Sequence, residues 1–559
     1  MGGPQTRISK EIGEQKHYPN ETFEEACNRW AKTLADDKEH ERRLFDMFSE
    51  QRVLLAGRVQ RAAGHFHDVT AFNCFVSGTI PDSMQGIMQR ATEAAITMQK
   101  GGGIGYDFGT LRPKGAEVTT TGSHSSGPVS FMNIFDSVCS TVKSAGGRRG
   151  AQMAVLPVWH PDIRDFINAK KDNSTLTNFN ISVGVTDEFM EAVINDRVFE
   201  LRFGSRLWET VPARDLWDEI MANTWDWAEP GVVFIDRINE MNNLWYIEDI
   251  EATNPCAEQP LPPHGACLLA SINWVKYLNK SKSGYIFDVT QFSKDIPNLV
   301  RALDNVIDKT IYPLEAQEIE AKQKRRMGIG CTGVANTLEA LGYSYGSVDS
   351  AKMLEALLSL QTNWIYEASA DLAKEKGPFP LFSVSEYTQG AFIQRLDRKT
   401  QDKIRTQGIR NSHLTSIAPT GTISLAADNV SSGIEPPYQL SYNRKIADGD
   451  GSITEKVEDY GRKFLGITGR TADQLTPEEH IRMLLSAQKW TDSSVSKTCN
   501  IGPNTTFDEF KEVYMMAYKG GAKGCTTFRS AGKRFGILSS MEDDASCTVD
   551  PETGIKTCE

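Results

Sequence analysis

Amphipathic helical segments alternate with short, strongly apolar runs along this chain, and this alternation restricts the fold more than any other feature of the sequence. One helix is predicted directly after the capping pair Asp82 and Ser83, and it ends at the three glycines 101–103. A second helix is predicted after Thr186. Between such helices lie runs typical of buried strands, namely MAVLPVW (153–159), FNISVGV (179–185) and LTSIAPT (414–420). The pattern predicts an α/β fold with parallel strands and functional loops at their C-terminal ends.

The composition is that of a globular protein and excludes several function classes. A chain of 559 residues with 40% hydrophobic residues can build large cores, and a net charge of -12 does not favour an extended nucleic-acid surface. The polar N-terminus lacks the apolar core of a signal peptide, and no run of about 18 apolar residues occurs, so we expect a cytoplasmic protein without a membrane segment. Ten cysteines in a reducing compartment are expected to be thiols. Because no CxxC pair occurs, we expect no metal site built from protein side chains.

Two of these thiols, Cys256 and Cys267, stand eleven residues apart in the stretch TNPCAEQPLPPHGACLLASINW (253–274). The pair could ligate a metal, form a disulfide, lie buried as small apolar side chains, or act in catalysis. If the chain is extended here, Asn254, Cys256 and Glu258 point to one face, which would unite an amide, a sulfur and a general base. The residues alone leave these alternatives open.

Three glycine-containing loops are candidates for binding an anionic ligand. Residues 328–333 read GIGCTG and fit the dinucleotide fingerprint, with Asp349 at the spacing of a ribose-binding acid. That fingerprint must follow a buried strand, whereas the preceding residues are charged and helical, so tight backbone packing at a turn explains the glycines better. The loop PTGTIS (419–424) offers hydroxyl and backbone N–H groups to a phosphate, and a plain turn fits equally well. In GGRRGA (146–151) two arginines could hold an anion, and a solvated turn is equally consistent.

The composition changes near the end of the sequence. After Arg534 the chain becomes polar and acidic, which predicts a flexible segment at 539–559. This segment carries Cys547 and Cys558, although thiols are unusual in a disordered tail. The two cysteines are either incidental or an exposed, mobile redox pair.

Seven segments of the sequence occur in a characteristic order: FNCFVSGTIPDSMQGIMQRATEAAITMQKGGGIGYDFG (72–109), SAGGRRGA (144–151), NPCAEQPL (254–261) with CLLASINW (267–274), RRMGIGCTGVAN (325–336), IAPTGTISLAADNVSSGIEPPY (417–438), TDSSVSKTCN (491–500) and KGCTTFR (523–529). In this order they resemble the large, catalytic subunit of ribonucleotide reductases. The resemblance covers most of the chain and implies a ten-stranded α/β barrel of two five-stranded parallel halves, with a central finger loop that carries Cys256. It implies an N-terminal helical segment at 1–55 without an ATP-cone, the reductase barrel with its specificity-effector site at 56–538, and a redox tail at 539–559.

The resemblance implies a role for three thiols and two polar neighbours. Cys256 would be the thiyl radical that takes the 3′-hydrogen of a ribonucleotide. Glu258 would be the base at the 3′-hydroxyl, and Asn254 would hydrogen-bond and orient this hydroxyl region. Cys74 and Cys267 would be the reductant pair, which donates a proton to the departing 2′-hydroxyl and closes to a disulfide. Each turnover would then leave the enzyme oxidised.

The same resemblance implies a role for the two cysteines of the tail. Cys547 and Cys558 are similar to the family's mobile C-terminal dithiol, which reduces the Cys74–Cys267 disulfide by thiol exchange. Thioredoxin or glutaredoxin would then renew the tail dithiol. Ten residues separate the two tail cysteines, a wider gap than is usual in the family.

The resemblance also implies nucleotide-binding residues. Those implied for the ribonucleotide substrate, with the 419–424 loop at its phosphates, are Asn73, Gly103, Pro255, Ala257, Pro419, Thr420, Gly421, Thr422, Ile423 and Ser424. Those implied for a deoxynucleotide or ATP effector that sets specificity are Asp82, Ser83, the loop 121–128 and Arg149. A helix pair at the effector site commonly forms the dimer interface in this family, so the resemblance also implies a homodimer.

Members of this family differ in how they make the thiyl radical. Class I enzymes use a metal-containing small subunit and relay the radical through two adjacent tyrosines, but Thr527 and Phe528 occupy those positions here. Threonine is not oxidised at a useful potential, and phenylalanine has no phenolic proton to lose. Tyr514 and Tyr518 lie nearby in a helical pattern and are expected to belong to the core.

The sequence is therefore predicted to belong to class II, in which adenosylcobalamin supplies the radical. The sequence of the 418–438 segment is more similar to class II, and the tail lacks the glycyl-radical motif of class III. One alternative is a class I-type large subunit that needs a radical-generating small subunit. Another is a non-catalytic nucleotide-binding paralogue, in which a catalytic or redox residue would be missing, and a third is a nicotinamide dehydrogenase.

Overall fold

The structure of the protein is a computed structural model that describes residues 2–65, 69–120, 122–142, 150–171, 174–448, 451–529, 547–549 and 556–558. Arg149, most of the 144–151 loop and most of the predicted tail lie outside the described residues. The α-helices of the described part are α1 Arg7–Ile12, α2 Phe23–Leu34, α3 Lys38–Ser49, α4 Gly57–Ala62, α5 Met84–Gln99, α6 Pro128–Thr141, α7 Ile163–Ile167, α8 Asp187–Ile194, α9 Ala213–Trp227, α10 Ile235–Glu240, α11 Val289–Lys309, α12 Glu315–Lys324, α13 Val334–Ala340, α14 Val348–Lys376, α15 Val384–Tyr387, α16 Ala391–Arg395, α17 Arg398–Gln407, α18 Gly421–Ala426, α19 Pro477–Gln488 and α20 Phe507–Lys519.

Short π-helical turns lie at Gly13–His17 and Gly461–Leu465, and 3₁₀ turns at Trp274–Tyr277 and Ala472–Gln474. The strands are β1 Val53–Leu55, β2 Cys74–Val76, β3 Gly103–Asp107, β4 Glu117–Val118, β5 Ser123–His124, β6 Gln152–Pro157, β7 Phe179–Val185, β8 Val198–Phe203, β9 Arg206–Pro212, β10 Gly231–Phe234, β11 Ala252–Thr253, β12 Pro260–Leu261, β13 Ala266–Cys267, β14 Leu269–Asn273, β15 Leu278–Ser281, β16 Gly284–Phe287, β17 Gly328–Thr332, β18 Ser441–Asp448, β19 Gly451–Glu458, β20 Thr498–Ile501, β21 Gly524–Arg529, β22 Cys547–Val549 and β23 Lys556–Cys558. Helices and strands alternate along the chain, as the sequence predicts.

A large, mainly parallel sheet organises the fold. Strands β2, β3, β6, β7 and β10 run parallel to one another in this order. At one edge β13 pairs antiparallel with β2, and at the other edge β21 pairs antiparallel with β10 and parallel with β20. A second sheet has the order β1-β14-β17, in which β14 and β17 are parallel. The predicted α/β class with parallel strands is therefore confirmed.

Single bridges extend the pairing beyond the named strands. Ile329 of β17 forms a parallel bridge with Thr415, and Ile417 forms one with Val495, just before β20. The predicted strand at 414–420 is thus an extended segment that touches a neighbour on each side without forming a regular ladder. Its backbone hydrogen bonds go partly elsewhere, since the N–H groups of Leu414 and Thr415 donate to the Asp492 carboxylate at 2.7 and 3.0 Å.

The predicted helices after Ser83 and Thr186 are confirmed, and each begins with the expected cap. The hydroxyl oxygen of Ser83 accepts from the Gly86 N–H at 3.1 Å, and the helix α5 that follows ends at Gln99. Thr186 caps α8 in the same way through the N–H of Phe189. The cap oxygens satisfy N–H groups that have no partner within the helix, which fixes where each helix begins.

The glycines at 328–333 pack closely, as predicted, but most of them lie in a strand and not at a turn. Gly328–Thr332 form β17, which follows the charged helix α12. A Cβ atom at Gly330 would lie 2.4 Å from the Ser416 carbonyl oxygen, so only glycine lets the 414–420 segment approach. Gly333 alone has a positive φ, of 71°, at the start of α13. No helix in the described ranges is long and apolar enough to cross a membrane.

Candidate active site

The stretch that contains Cys256 forms a tight turn between two short strands. Strands β11 and β12 pair antiparallel, and Asn254 closes the turn, because its N–H donates to the Gln259 carbonyl at 3.1 Å and its Oδ1 accepts from the Gln259 N–H at 2.9 Å. Ala257 adopts a left-handed φ of 62°. Residues 254–259, here named the Cys256 loop, are therefore turned and not extended. The alternation argument for a shared face does not apply, and the turn itself gathers Asn254, Cys256 and Glu258.

Hydrogen bonds from two parts of the fold hold the Cys256 loop. On the side of the large sheet, Asn180 of β7 donates its Nδ2 to the Pro255 carbonyl at 3.0 Å. On the other side, the Glu258 carbonyl accepts from the Ser416 hydroxyl at 2.8 Å and from the Ser494 N–H at 3.0 Å. Since backbone carbonyls receive these bonds, the loop is positioned independently of the side chains at its tip.

Two glycines of β3 allow the Cys256 loop to approach the sheet. A Cβ atom at Gly105 would lie 1.8 Å from the Thr253 carbonyl oxygen, which is far inside any permitted contact. A Cβ atom at Gly103 would lie 3.2 Å from both Cys74 Sγ and Pro255 Cγ. Gly103 therefore stands between the loop and the first thiol of the predicted reductant pair, where a larger residue would crowd both.

The three predicted catalytic thiols come together in the structure. Cys74 and Cys267 are directly opposed on the antiparallel strands β2 and β13, and neither of them nor Cys256 forms a disulfide within the described residues. Directly opposed residues on antiparallel strands have Cα separations of about 4.5–5.5 Å, a range in which a disulfide can close. Burial raises the pKa of Cys267 well above its usual value, and the nearby charges of Glu258, Cys74 and Cys256 raise it further. Cys267 is therefore a protonated thiol at neutral pH.

Two amide side chains in this region each keep one buried polar atom available for a ligand. Among the described atoms, Asn254 Nδ2 and Asn73 Oδ1 have no hydrogen-bond partner. Asn73 is tied to the reductant strands through its backbone, because its N–H donates to the Cys267 carbonyl at 3.2 Å and its carbonyl accepts from the Gly103 N–H at 2.9 Å. A buried polar atom without a partner is costly, so both amides are suited to a bound polar molecule.

A large cleft opens beside the Cys256 loop. It encloses about 1070 Å³ of space, part of it open to solvent, and Pro255, Cys256 and Ala257 form one wall. The wall also includes Pro419 and residues of β10 and β21, namely Val232, Val233, Gly524, Cys525 and Thr526. Cys256 therefore borders the cleft and also lies near the buried group formed by Cys267 and Glu258.

Two lysines are buried beside the cleft. Lys497 donates its Nζ to Glu435 Oε2 at 2.6 Å and lies 3.2 Å from His480 Nδ1. Lys523 donates to the Asp492 carbonyl, and its complete burial lowers the pKa of its ammonium group to about 7. Both lysines line the cleft, so this wall can hydrogen-bond a polar ligand.

The two positions of the class I tyrosine relay lie on β21, next to the cleft wall. Thr527 and Phe528 are almost wholly buried, and the Thr527 hydroxyl is 3.0 Å from the Tyr514 hydroxyl. Tyr514 and Tyr518 are buried side chains of α20, which confirms that they belong to the core. Burial raises the pKa of Tyr514 well above its usual value.

The PTGTIS loop is held by its own hydroxyl groups. Thr332 Oγ1 lies 3.0 Å from Thr420 Oγ1 and 2.7 Å from Ser424 Oγ, and the Gly433 N–H donates to Thr420 Oγ1 at 2.7 Å. Thr420 has a left-handed φ of 57° directly before α18. The hydroxyls of Thr420 and Ser424 thus stabilise the loop from within. The half-buried residues Gly421–Ile423 form its more accessible part.

The predicted effector residues Asp82 and Ser83 have partners within the chain. Arg112 donates its Nε to Asp82 Oδ2 at 2.7 Å and its N–H to Asp82 Oδ1 at 3.2 Å. Ser83 caps α5. This ion pair is partly exposed at the N-terminal end of α5, and the third predicted effector residue, Arg149, lies outside the described residues.

The backbone positions of the tail cysteines are described, although most of the tail is not. Strands β22 and β23 pair antiparallel with Cys547 opposite Cys558. The wide sequence gap between them is therefore compatible with close approach, because the pairing of β22 with β23 brings the two positions together. Strand β23 has Cα atoms within 8 Å of α18, the helix that follows the PTGTIS loop.

Several residues that hold the site are absent from the sequence-based prediction. Asn180 is a polar residue inside the apolar run FNISVGV, and such an interruption is the signal that could have identified it. Lys497 and Lys523 lie in the segments TDSSVSKTCN and KGCTTFR, but nothing in their spacing indicates that both are buried. Ser416 carries no local signal.

Fold and site together define an α/β protein in which the buried Cys267 and Glu258 lie near two half-buried thiols, Cys74 and Cys256, a set of groups typical of thiol-based redox chemistry. Residues 72–461 and 468–528 match the family described as ribonucleotide reductase, barrel domain. The chain belongs to this family.

Curated relatives agree over most of the chain. The chain is 35% identical over 499 residues to the vitamin B12-dependent ribonucleoside-diphosphate reductase of Thermoplasma acidophilum, a match that covers 84% of this chain and 62% of that protein. It is 36% identical over 498 residues to the protein of the same name from Mycobacterium tuberculosis, with 84% and 69% covered. It is 29% identical over 569 residues to the vitamin B12-dependent ribonucleotide reductase of Streptomyces coelicolor, with 87% and 59% covered. The chain thus spans about three fifths to two thirds of the length of these relatives.

Proposed function

We propose that this protein reduces ribonucleotides to 2′-deoxyribonucleotides by class II, adenosylcobalamin-dependent chemistry. The observation that carries the proposal is the position of Cys256, which borders the cleft and lies near Cys267 and Glu258. Relatives that are 35% and 36% identical bear the name vitamin B12-dependent ribonucleoside-diphosphate reductase, which supports a diphosphate substrate and this cofactor. A non-catalytic paralogue is not favoured, because all three thiols and the carboxylate are present.

The proposal includes closure of the strands into a ten-stranded barrel. Five parallel strands, β2, β3, β6, β7 and β10, would form one half. The other half would comprise β14, β17, the 414–420 segment, β20 and β21, since parallel pairs and bridges link them in this order. The Cys256 loop would be the finger through the centre, which agrees with its hydrogen bonds to Asn180 on one side and to Ser416 on the other. The boundaries would be a helical segment at 1–55, the barrel at 56–538 and the tail at 539–559.

Each residue of the site has a defined role in the proposed reaction. The Cys256 thiyl radical removes the 3′-hydrogen atom of the ribonucleotide, and Glu258 accepts the 3′-hydroxyl proton while Asn254 orients this hydroxyl. The 2′-hydroxyl leaves as water after it receives a proton from the Cys74 and Cys267 pair. The two thiols supply two electrons and two protons in total and become a disulfide. Cys256 returns this hydrogen atom to C3′ at the end of the reaction and thereby becomes a thiyl radical again.

The cleft is the proposed cofactor site. Its size, its open side and the hydrogen-bonding groups of Lys497 and Glu435 suit a large cofactor with amide side chains, and Cys256 forms part of its wall. When bound there, adenosylcobalamin would supply the radical that takes the hydrogen atom from Cys256 Sγ. The chain's own contribution is to hold the thiol at the cleft wall. A tyrosine relay from a small subunit would need tyrosines at positions 527 and 528. Because Thr527 and Phe528 stand there, they favour adenosylcobalamin as the source of the radical.

The remaining partners follow from the same proposal. Cys547 and Cys558, opposed on β22 and β23, would reduce the Cys74–Cys267 disulfide and be renewed by thioredoxin or glutaredoxin. The 419–424 loop, with Asn73, Gly103, Pro255 and Ala257, would hold the substrate. A deoxynucleotide or ATP would bind near Asp82, Ser83 and Arg149 in a cytoplasmic homodimer.

The test is a reductase assay with the purified chain, a ribonucleoside diphosphate, a small dithiol and adenosylcobalamin, without a second protein. The proposal expects deoxynucleotide in this mixture and none when the cofactor is omitted. A triphosphate tested in parallel decides which substrate is preferred. If product appears only after a radical-generating small subunit is added, the class II proposal is wrong.

A further inference from the structure

The N-terminal segment of the chain is bonded to the far end of the helix that follows the PTGTIS loop. Ser9, in α1, is completely buried. It donates its hydroxyl to the Leu425 carbonyl at 2.6 Å and accepts from the Asp428 N–H at 3.1 Å. These contacts join residues more than 400 positions apart in the sequence. A single hydroxyl group from the other end of the chain thus caps the C-terminal end of α18.

The backbone beyond α18 needs such a cap. Asp428 and Asn429 both adopt left-handed conformations, with φ of 61° and 57°, so the helix cannot continue through them. The Leu425 carbonyl and the Asp428 N–H would consequently lose partners that a longer helix would provide. Both groups are buried, and the Ser9 hydroxyl satisfies both of them at once.

A second set of hydrogen bonds joins the Asp428 side chain to the residues before α1. The Asp428 carboxylate accepts from the Gln5 N–H at 2.9 Å and from the Thr6 N–H at 2.8 Å. Thr6 in turn caps α1, because its hydroxyl oxygen accepts from the Ser9 N–H. The residues after α18 therefore hold the start of α1, while α1 holds the end of α18.

Apolar packing supports the same junction. Ile8 and Ile12 of α1 form a small buried cluster with Leu425 and with Val457 of β19, apart from the main core. A short helix such as α1, with six residues, is not stable alone, so this cluster and the bonds of Ser9 determine its position. The far end of α18 is thus fixed by α1, and its near end by the contact of the Thr332 hydroxyl with Thr420.

We propose that residues 5–12 are a brace that positions the substrate loop, with Ser9 as its central positioning residue. The inference rests on the proposed function, in which the 419–424 loop binds the substrate phosphates. A helix of six residues that is fixed at both ends presents its loop in one geometry, and release of one end allows several. Ser9 touches neither substrate nor reacting atoms and acts on binding through α18.

The test compares Ser9→Ala with Ser369→Ala in the full chain. Ser369 is a matched control, since it is also completely buried and its hydroxyl also donates one bond and accepts one from a backbone N–H, both with Asn411. Loss of a buried hydrogen bond of about 1 kcal/mol corresponds to roughly fivefold weaker binding. We expect Ser9→Ala to raise the dissociation constant of a ribonucleoside diphosphate about fivefold without cofactor, and to raise KM similarly with kcat within about twofold.

Hydrogen exchange provides a second readout that needs neither substrate nor activity. Amides of 421–429 should exchange faster in Ser9→Ala and at the wild-type rate in Ser369→Ala. If Ser9→Ala does not fold, Ser9→Cys keeps the shape of the side chain with a weaker donor and should show a smaller change in the same direction. Wild-type binding and exchange in the Ser9 variant would overturn the brace. Failure of the wild type itself to bind nucleotide would instead refute the proposed function, and the exchange rates would then decide on the brace alone.

Discussion

Replacement of Gly105 by alanine tests how closely the Cys256 loop must approach the sheet. The new Cβ atom would lie 1.8 Å from the Thr253 carbonyl oxygen, whereas contacts of a Cβ atom below 3.0 Å essentially never occur. The difference of these two distances means that β3 or the loop must move by about 1.2 Å. Thr253 directly precedes Asn254, so the displacement is passed to the turn that carries Cys256.

The expected cost is large for catalysis and moderate for stability. A misplacement of about 1 Å at a reacting group can lower the rate roughly 100-fold. Overpacking of a buried site typically costs about 1–3 kcal/mol of unfolding free energy, which a large protein can tolerate. We therefore expect Gly105→Ala to fold and to bind a ribonucleoside diphosphate, but to turn over about 100-fold more slowly than the wild type.

Gly184→Ala is the matched control for this variant. Gly184 lies on β7 of the same sheet, and a Cβ atom there would come no closer than 3.3 Å to another atom, the Cγ1 of Val155. Both variants add one methyl group to a buried parallel strand, and only Gly105→Ala pushes on the Cys256 loop. Steady-state kcat, nucleotide affinity and thermal unfolding of both should be measured. If Gly105→Ala keeps kcat within about threefold of the wild type, the argument from close approach is refuted.

Two further variants examine the tail and the cleft. Cys547→Ser should stop multiple turnovers with thioredoxin while a small dithiol still supports them, and a variant that remains fully active with thioredoxin would show that the tail is not the shuttle. Lys523→Met should remove a pH dependence of stability. Burial lowers the pKa of Lys523 in the folded protein to about 7, so between pH 7 and the unfolded pKa near 10.5 the unfolded state binds more protons. As the pH rises through this range, the unfolding free energy of the wild type therefore increases by up to about 1.4 kcal/mol per pH unit relative to the variant. Chemical unfolding of both proteins at pH 7, 8 and 9 measures this difference, and plots of stability against pH that run parallel would contradict the lowered pKa of Lys523.

Local signals in the sequence predict the regular elements well. Ser83 and Thr186 cap their helices through side-chain oxygens that accept from an N–H three residues later. This bond depends only on residues close in the sequence, so α5 and α8 begin where expected. The buried strands β6 and β7 follow from their continuous apolar runs. The grouping of Cys74, Cys256 and Cys267 follows from the family resemblance, because no pattern within the sequence relates residues so far apart.

Features that depend on distant contacts were not predictable from local sequence. The glycines of β17 resemble a turn motif, but they lie in a strand because the Ser416 backbone packs against Gly330. The Cys256 loop is turned because Asn254 bonds Gln259 across it, and such closure has no simple periodic pattern. The bonds of Ser9 to α18 join residues more than 400 positions apart in the sequence, so they become visible only in the folded structure.

The most direct test of the central claim is a single turnover in which deoxynucleotide and protein thiols are measured together. The reduced Cys547→Ser variant, whose tail cannot reduce the Cys74–Cys267 disulfide, would be freed of other dithiols and mixed with a ribonucleoside diphosphate and adenosylcobalamin. The mixture would be quenched and alkylated, with Cys256→Ser in the same background treated in parallel. The account predicts that each deoxynucleotide formed is matched by one Cys74–Cys267 pair that has become resistant to alkylation, and that Cys256→Ser binds nucleotide but forms no product. Deoxynucleotide formed while Cys74 and Cys267 remain free thiols, or formed by the Cys256→Ser variant, would contradict it.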